Sequence, residues 1–245
     1  MKTTKKLFTC LIVIFYAATF FAVGKPVDTI RGNNHSYVNL GLSVCWATTN
    51  IGAIAPEYAG KYYNWGDIYS EDEDATYIKY FNLFFKTHGT EDLDHLLVLN
   101  ASEDAAQKLW GDSWRLPTAF ECQELIDKCS WVWDALRHGF IITGPNGNHI
   151  FLPAGGEIDL YGELEGHGTR GCYWCSTYCY NTRFQGVGPD YLWFKNGKDC
   201  PSKCCCVSGV DQRPHMLIRP VWSSMTSEES LKNSILKKNA KQSHK

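Results

Sequence analysis

The chain has 245 residues, nine tryptophans, eleven cysteines and a net charge of −2. Residues 1–24 hold three lysines and no acid, and residues 223–245 carry +3, so residues 25–222 stand at −8. A body that acidic lacks the positive surface a nucleic-acid binder needs, and its roughly 200 residues suit one domain with a sizeable core.

Lys2, Lys5 and Lys6 precede an apolar run from Leu7 to Val23, and Ala22 and Gly24 place small residues before Lys25. This pattern predicts a cleaved signal peptide over 1–24 and an exported protein in the periplasm, at the cell surface or outside the cell. The alternative is a membrane anchor, but the run is short for a spanning helix. No membrane span is expected once the signal is removed. Cys10 precedes most of the apolar run, the wrong place for a lipoprotein anchor.

Residues 25–36 read as a polar leader, 37–222 as the folded domain and 223–245 as a basic, disordered tail. Tyr37–Thr49 alternates as one or two strands around Gly41, with Val44, Trp46 and Thr48 on one face and Cys45 and Ala47 on the other. Residues 50–56 form a turn and 62–66 a short aromatic segment. Residues 67–100 are irregular, with Glu71-Asp-Glu-Asp74 in a solvated loop. Ser102 is predicted to cap a helix over Glu103–Leu109.

The most informative stretch runs from Trp110 to Ile126. Thr118 can accept from the Glu121 N–H while Glu121 reaches back to the Thr118 N–H, a capping box that starts a helix reaching about Cys129. Pro117 forces an extended approach to it. Trp114 and Leu116 point inward on either side of Arg115, so the Arg115 guanidinium is expected to be enclosed and satisfied by backbone carbonyls or an acid. Trp114, Arg115, Thr118 and Glu121 are therefore read as scaffold. Further on, Phe140–Thr143 and His149–Leu152 flank a Gly/Pro/Asn turn as a hairpin, and strands are expected at Tyr173–Tyr178, Tyr191–Phe194 and Met216–Val221.

Val38-Asn-Leu-Gly-Leu-Ser-Val-Cys-Trp-Ala-Thr48, Gly60-Lys-Tyr-Tyr-Asn-Trp-Gly66, Trp114-Arg-Leu-Pro-Thr118, Asn148-His-Ile-Phe-Leu-Pro-Ala-Gly155 and Ile218-Arg-Pro-Val221 occur in that order along residues 37–222. Jointly they resemble the Fibrobacter succinogenes major paralogous domain, a C-type-lectin-like family of secreted gut-bacterial proteins distantly related to formylglycine-generating enzymes. The resemblance implies an α+β fold, two helices packed on twisted antiparallel sheets, with long loops carrying a ligand surface. The family has no established catalytic residues, so none is carried over. Two departures stand out: Cys45, where a polar or basic residue is usual, and Gly171–Cys179, where a serine-rich aromatic strand is usual.

Ten cysteines remain after signal removal, an even number in an exported chain, which favours disulfides. Cys122 and Cys129 lie seven helical residues apart, about 10 Å along the axis, too far to pair within one helix. The simplest framework staples the loop carrying Cys200, Cys204, Cys205 and Cys206 to the strand carrying Cys172, Cys175 and Cys179. Zinc on Cys172-x-x-Cys175 with further thiolates is the rival, and calcium on Glu157, Asp159, Glu163 and Glu165 is a weaker one. His88, Asp92, Asp94 and His95 suggest a solvated loop more than a cation site. Disulfides, with no cofactor, are preferred to all of these.

No nucleophile elbow or phosphate loop occurs. Tyr173, Tyr178, Tyr180, Tyr191 and Trp193 crowd the C-terminal third and are the candidate ligand-binding aromatics, with Trp174 and either Trp193 or Phe194 expected in the core. The function expected is an exported, non-enzymatic module binding a glycan or protein ligand. The alternatives are a structural subunit of a surface or fimbrial assembly and, third, a formylglycine-generating-type oxidase, which needs a reactive cysteine pair and a metal.

Overall fold

The computed structural model describes residues 29–32, 34–68, 97–111, 113–181, 186–196, 204–206 and 214–242. The signal peptide (1–24), the acid run 71–74, Cys200 and the cluster of His88, Asp92, Asp94 and His95 lie outside the described residues. In chain order the elements are strands β1 (Thr29–Gly32), β2 (His35–Val38), β3 (Cys45–Ala47) and β4 (Leu97–Val98), helix α1 (Ala105–Trp110), strand β5 (Trp114–Arg115) and helix α2 (Ala119–Lys128). Strands β6 (Ser130–Asp134), β7 (Gly139–Thr143), β8 (His149–Pro153), β9 (Glu157–Ile158), β10 (Leu164–Glu165), β11 (Arg170–Asn181), β12 (Gly186–Lys195), β13 (Cys204–Cys206) and β14 (Val221–Trp222) follow, and helix α3 (Ser227–Gln242) ends the series. The class is α+β, with antiparallel strand pairing throughout the named sheets.

Four sheets share the strands. One has five strands in the order β1-β2-β3-β14-β5, one has four in the order β13-β12-β11-β4, one has three in the order β6-β7-β8, and β9 pairs with β10. The alternation read from residues 44–48 is buried on both sides. Cys45 and Ala47 face a core built on Trp65, Trp114, Trp174 and Tyr178, while Val44 and Trp46 face a second core with Leu125, Phe140, Leu152 and Phe194. Strand β11 divides the two cores by the period of two that governs strands: Cys172 and Trp174 enter the first, Tyr173 and Cys175 the second.

The register of β11 on β12 shifts between Trp174 and Tyr178. The backbone groups freed by that bulge are taken by other segments. Trp65 Nε1 donates to Cys175 O, Leu99 N to Ser176 O, and Ser176 N to Pro117 O, at 2.7, 2.8 and 2.7 Å. Ala119 N, at the start of α2, donates to Thr177 Oγ1 at 2.9 Å. One irregular turn of strand thus fixes the entrances of three other segments.

Arg219 joins the two cores. Fully buried, it donates from Nε to Asn50 Oδ1 (2.7 Å), from one terminal nitrogen to Ala47 O (2.9 Å) and from the other to Phe151 O (3.0 Å). These acceptors belong to β3, the loop after it, and β8. Burial pulls the Arg219 pKa down to about 10, still far above neutrality.

Three local expectations are corrected. The second half of the polar leader is a hairpin: β1 pairs with β2, Asn34 turns between them at φ 64°, and the His35 ring stacks on Trp110 at 3.8 Å. Asparagine tolerates that left-handed backbone because its short side chain can bond locally. Helix α1 starts two residues later than expected and is capped by Asp104, not Ser102. One Asp104 oxygen accepts from Ala106 N and Gln107 N while the other accepts from Leu116 N, tying α1 to the approach of α2. The tail, expected to be disordered, holds α3. Thr226 and Glu229 form a capping box, Ser230 Oγ donates to Glu121 Oε1 at 2.6 Å, and Leu231 is buried. Thr226-Ser-Glu-Glu229 is a readable helix start, and Glu121 supplies the dock that the tail itself does not reveal.

Candidate functional site

The Trp-Arg-Leu-Pro-Thr segment forms a closed scaffold network. Thr118 and Glu121 make the expected capping box. Arg115 donates to both Glu121 oxygens at 2.8 and 2.7 Å, to Leu116 O at 3.1 Å and to Met225 O at 2.9 Å. Its guanidinium is satisfied by an acid and two carbonyls, as the inward flanks of Trp114 and Leu116 predicted. A cavity of about 220 Å³ lies between this network, Asp104 and residues 223–228. The charged groups lining its inner wall are already committed to one another and to the backbone.

Two of the candidate ligand aromatics are core residues. Tyr173 is 1% exposed, donates its hydroxyl to Pro153 O at 2.6 Å and stacks on Phe194; Tyr178 is 0% exposed and packs against Trp65. Their place on a long strand with a core on each face leaves no side for solvent. Trp174 and Phe194 are buried, as expected. Tyr191 and Trp193 stand two residues apart on one face of β12, partly exposed against the first core, with the Tyr191 ring edge-on to Trp174 at 6.2 Å. The Tyr180 side chain lies outside the described part.

The thiols of Cys45, Cys122, Cys129, Cys172 and Cys175 carry no disulfide. Cys172 and Cys175 occupy opposite faces of β11, so they do not form one two-thiolate grip on a metal. Burial, reinforced by the nearby Glu157 carboxylate, pushes the Cys172 pKa upward. Strand β13 pairs with β12, which stands between it and β11 in the sheet order. The side chains of Cys179, Cys204, Cys205 and Cys206 lie outside the described part. What the structure brings together instead is Cys122 and Cys175, two fully buried thiols with sulfurs 3.4 Å apart.

Two of the four calcium candidates, Glu157 and Asp159, are used within the fold. Glu157 pairs with Arg170 at 2.7 Å, and Asp159 Oδ1 accepts from Tyr161 N and Glu163 N, closing the β9–β10 turn. Among the described residues no group of three or more His, Cys, Asp or Glu is placed to hold a metal, and no helix is long and apolar enough to cross a membrane.

Sequence reasoning passed over the exposed apolar side chains of the loops. Ile54 (90% exposed) and Tyr58 lie in the loop after β3, Leu136 (89%) in the β6–β7 turn, and Leu160, Tyr161 (87%) and Leu164 on the β9–β10 hairpin. The first two loops are tied to residues 154–168, the segment that carries the third. Ala154 N donates to His138 O and Gly168 N to Ala154 O, while Tyr62 OH donates to Gly155 O at 2.6 Å and Ala59 packs against Gly155. The signal in the sequence is an aromatic and two leucines within an acidic turn, Leu160-Tyr-Gly-Glu-Leu164. Comparison with known protein families, with curated proteins and with solved structures finds no match in any of the three.

Proposed function

We propose that the protein is an exported, non-enzymatic binding module of C-type-lectin-like type, recognising a glycan or protein ligand through the loops tied to residues 154–168. The observation that carries this reading is the group of large apolar side chains, led by Tyr161, Leu136 and Ile54, held in water on three loops of a doubly cored scaffold. Loops positioned by a rigid frame are where binding residues concentrate, and a tyrosine offers apolar area with a polar tip to either kind of ligand. The antiparallel sheets and long loops suit the C-type-lectin-like reading. Tyr191 and Trp193 make a second aromatic surface on β12, retained from the sequence analysis.

The test uses the exported chain on a glycan array and as bait in a pull-down from the exported proteins of its source. A ligand found by either route is then titrated against Tyr161→Ser, Leu136→Ser and Trp193→Ala. Loss of affinity by tenfold or more in the first two, with melting temperature unchanged, supports the loop surface; loss confined to Trp193→Ala moves the site to β12. Stable co-purification in fixed stoichiometry with other exported proteins would favour the structural-subunit reading.

A further inference from the structure

We propose that Cys122 and Cys175 form a disulfide that bolts helix α2 to the bulge of strand β11. The Cys175 thiol donates to Cys122 Sγ at 3.4 Å, and both residues are completely shielded from solvent in the second core. Reaching the bonded separation of about 2.05 Å needs only a small approach of two side chains. Their backbones are already held in place from both sides. The capping box fixes the first turn of α2, Ala119 N donates to Thr177 Oγ1 two residues beyond Cys175, and Cys175 O accepts from Trp65 Nε1. The two residues lie 53 positions apart, so the bond closes a long loop containing β6 to β10. Such a cross-link acts chiefly by restricting the unfolded chain.

The chemistry is a thiol–disulfide exchange, and it rests on the exported reading for its oxidant, a disulfide-bearing oxidoreductase of the oxidising compartment. The thiolate of one cysteine attacks a sulfur of the oxidant's disulfide, giving a mixed disulfide and releasing one oxidant thiol. The second cysteine's thiolate attacks the mixed disulfide, forming the Cys122–Cys175 bond and releasing the other thiol. The pair loses two electrons and two protons, and the oxidant's disulfide is reduced to a dithiol. Because both sulfurs are sealed from solvent in the folded state, the exchange belongs to the folding chain, before the core closes.

The experiment expresses the full chain in a bacterium, alkylates it with N-ethylmaleimide during lysis and again after denaturation, and maps the peptides by mass spectrometry. A single linked peptide containing Cys122 and Cys175, separated by dithiothreitol, is the expected result. Alkylated Cys122 and Cys175 in exported protein, or Cys175 linked to Cys179, Cys200, Cys204, Cys205 or Cys206, overturns the proposal. Cell fractionation reports separately on export. If the chain stays in the cytosol, the exported reading fails, and refolding the reduced chain with oxidised glutathione decides the pairing by the same two outcomes. The linked form should also melt several degrees higher than its dithiothreitol-reduced form, while Cys122→Ala/Cys175→Ala shows no such difference. An equal dependence on reductant in that double variant would place the stabilising bond elsewhere and overturn the assignment.

Discussion

Arg115 illustrates how much depends on a single side chain. Its charge is buried against Glu121, and Glu121 also serves the Thr118 N–H and the Ser230 hydroxyl. Arg115→Ala removes one partner and leaves the carboxylate buried, which costs roughly 3–5 kcal/mol. Thr118→Ala removes only a cap bond and costs about 1 kcal/mol. Urea denaturation of both variants checks the ranking, and equal losses would mean that the ion pair contributes no more than the cap. Asp104 supplies a pH signature. Burial, opposed by bonds from Leu116, Gln107 and Ala106 N–H and by the Arg115 charge, pushes its pKa up to about 6. That is above the roughly 3.9 of an unfolded aspartate. The folded state therefore holds the proton more tightly, so this group favours folding most below pH 4 and that contribution is lost as pH rises through 6. If it acted alone, the change would be about 3 kcal/mol. The stability gap between the wild type and Asp104→Asn should shift in favour of the wild type between pH 7.5 and pH 4.5. A gap constant with pH would refute the assignment.

At the scale of elements, α3 is an addition whose stability comes from its dock. Lys232 and Glu228 form one exposed pair on it, worth little. Ser230 bonds to Glu121 and Leu231 is buried, and these contacts hold the helix to the body. Truncation after residue 226 should lower the melting temperature by several degrees, because it exposes Glu121 and removes the Leu231 contact. Truncation after residue 236 should leave it within about a degree, since residues 237–241 are exposed and exposed positions contribute little to stability. Thermal melts of the two truncations decide this. Leu231→Ala alone should cost roughly 2 kcal/mol, at the low end for a buried leucine near the surface.

For the whole molecule, Arg219 stands where the five-stranded sheet meets the three-stranded one. Arg219→Leu keeps the bulk but strands Asn50 Oδ1 and two backbone carbonyls in a dry core. Each stranded acceptor costs about 1–3 kcal/mol, so the variant should be unfolded or severely destabilised at 37 °C. Circular dichroism melts of Arg219→Leu against Arg219→Lys would show it, with lysine recovering part of the loss. A variant as stable as the wild type would show that the two sheets meet without this clamp.

What the sequence determined by itself was local. The capping box at Thr118 and Glu121, the hairpin around Gly144–Asn148 and the opposite faces of Cys172 and Cys175 follow from hydrogen-bond geometry and from strand and helix periods, which act over a few residues. The enclosure of Arg115 was legible for the same reason, because its neighbours Trp114 and Leu116 state their burial through their own apolarity. Tertiary structure decided everything that depends on a distant partner. Tyr173 and Tyr178 look like surface aromatics until β11 is seen to carry a core on each face. Ser230 looks like a disordered tail residue until Glu121, 109 positions away, accepts its hydroxyl. The contact between Cys122 and Cys175 exists only because α2 crosses the bulge of β11, and no spacing along the chain encodes that crossing. The exposed apolar loops were missed for the converse reason: a leucine or tyrosine reads as core in any sequence, and only the packed molecule shows which ones the core had no room to take.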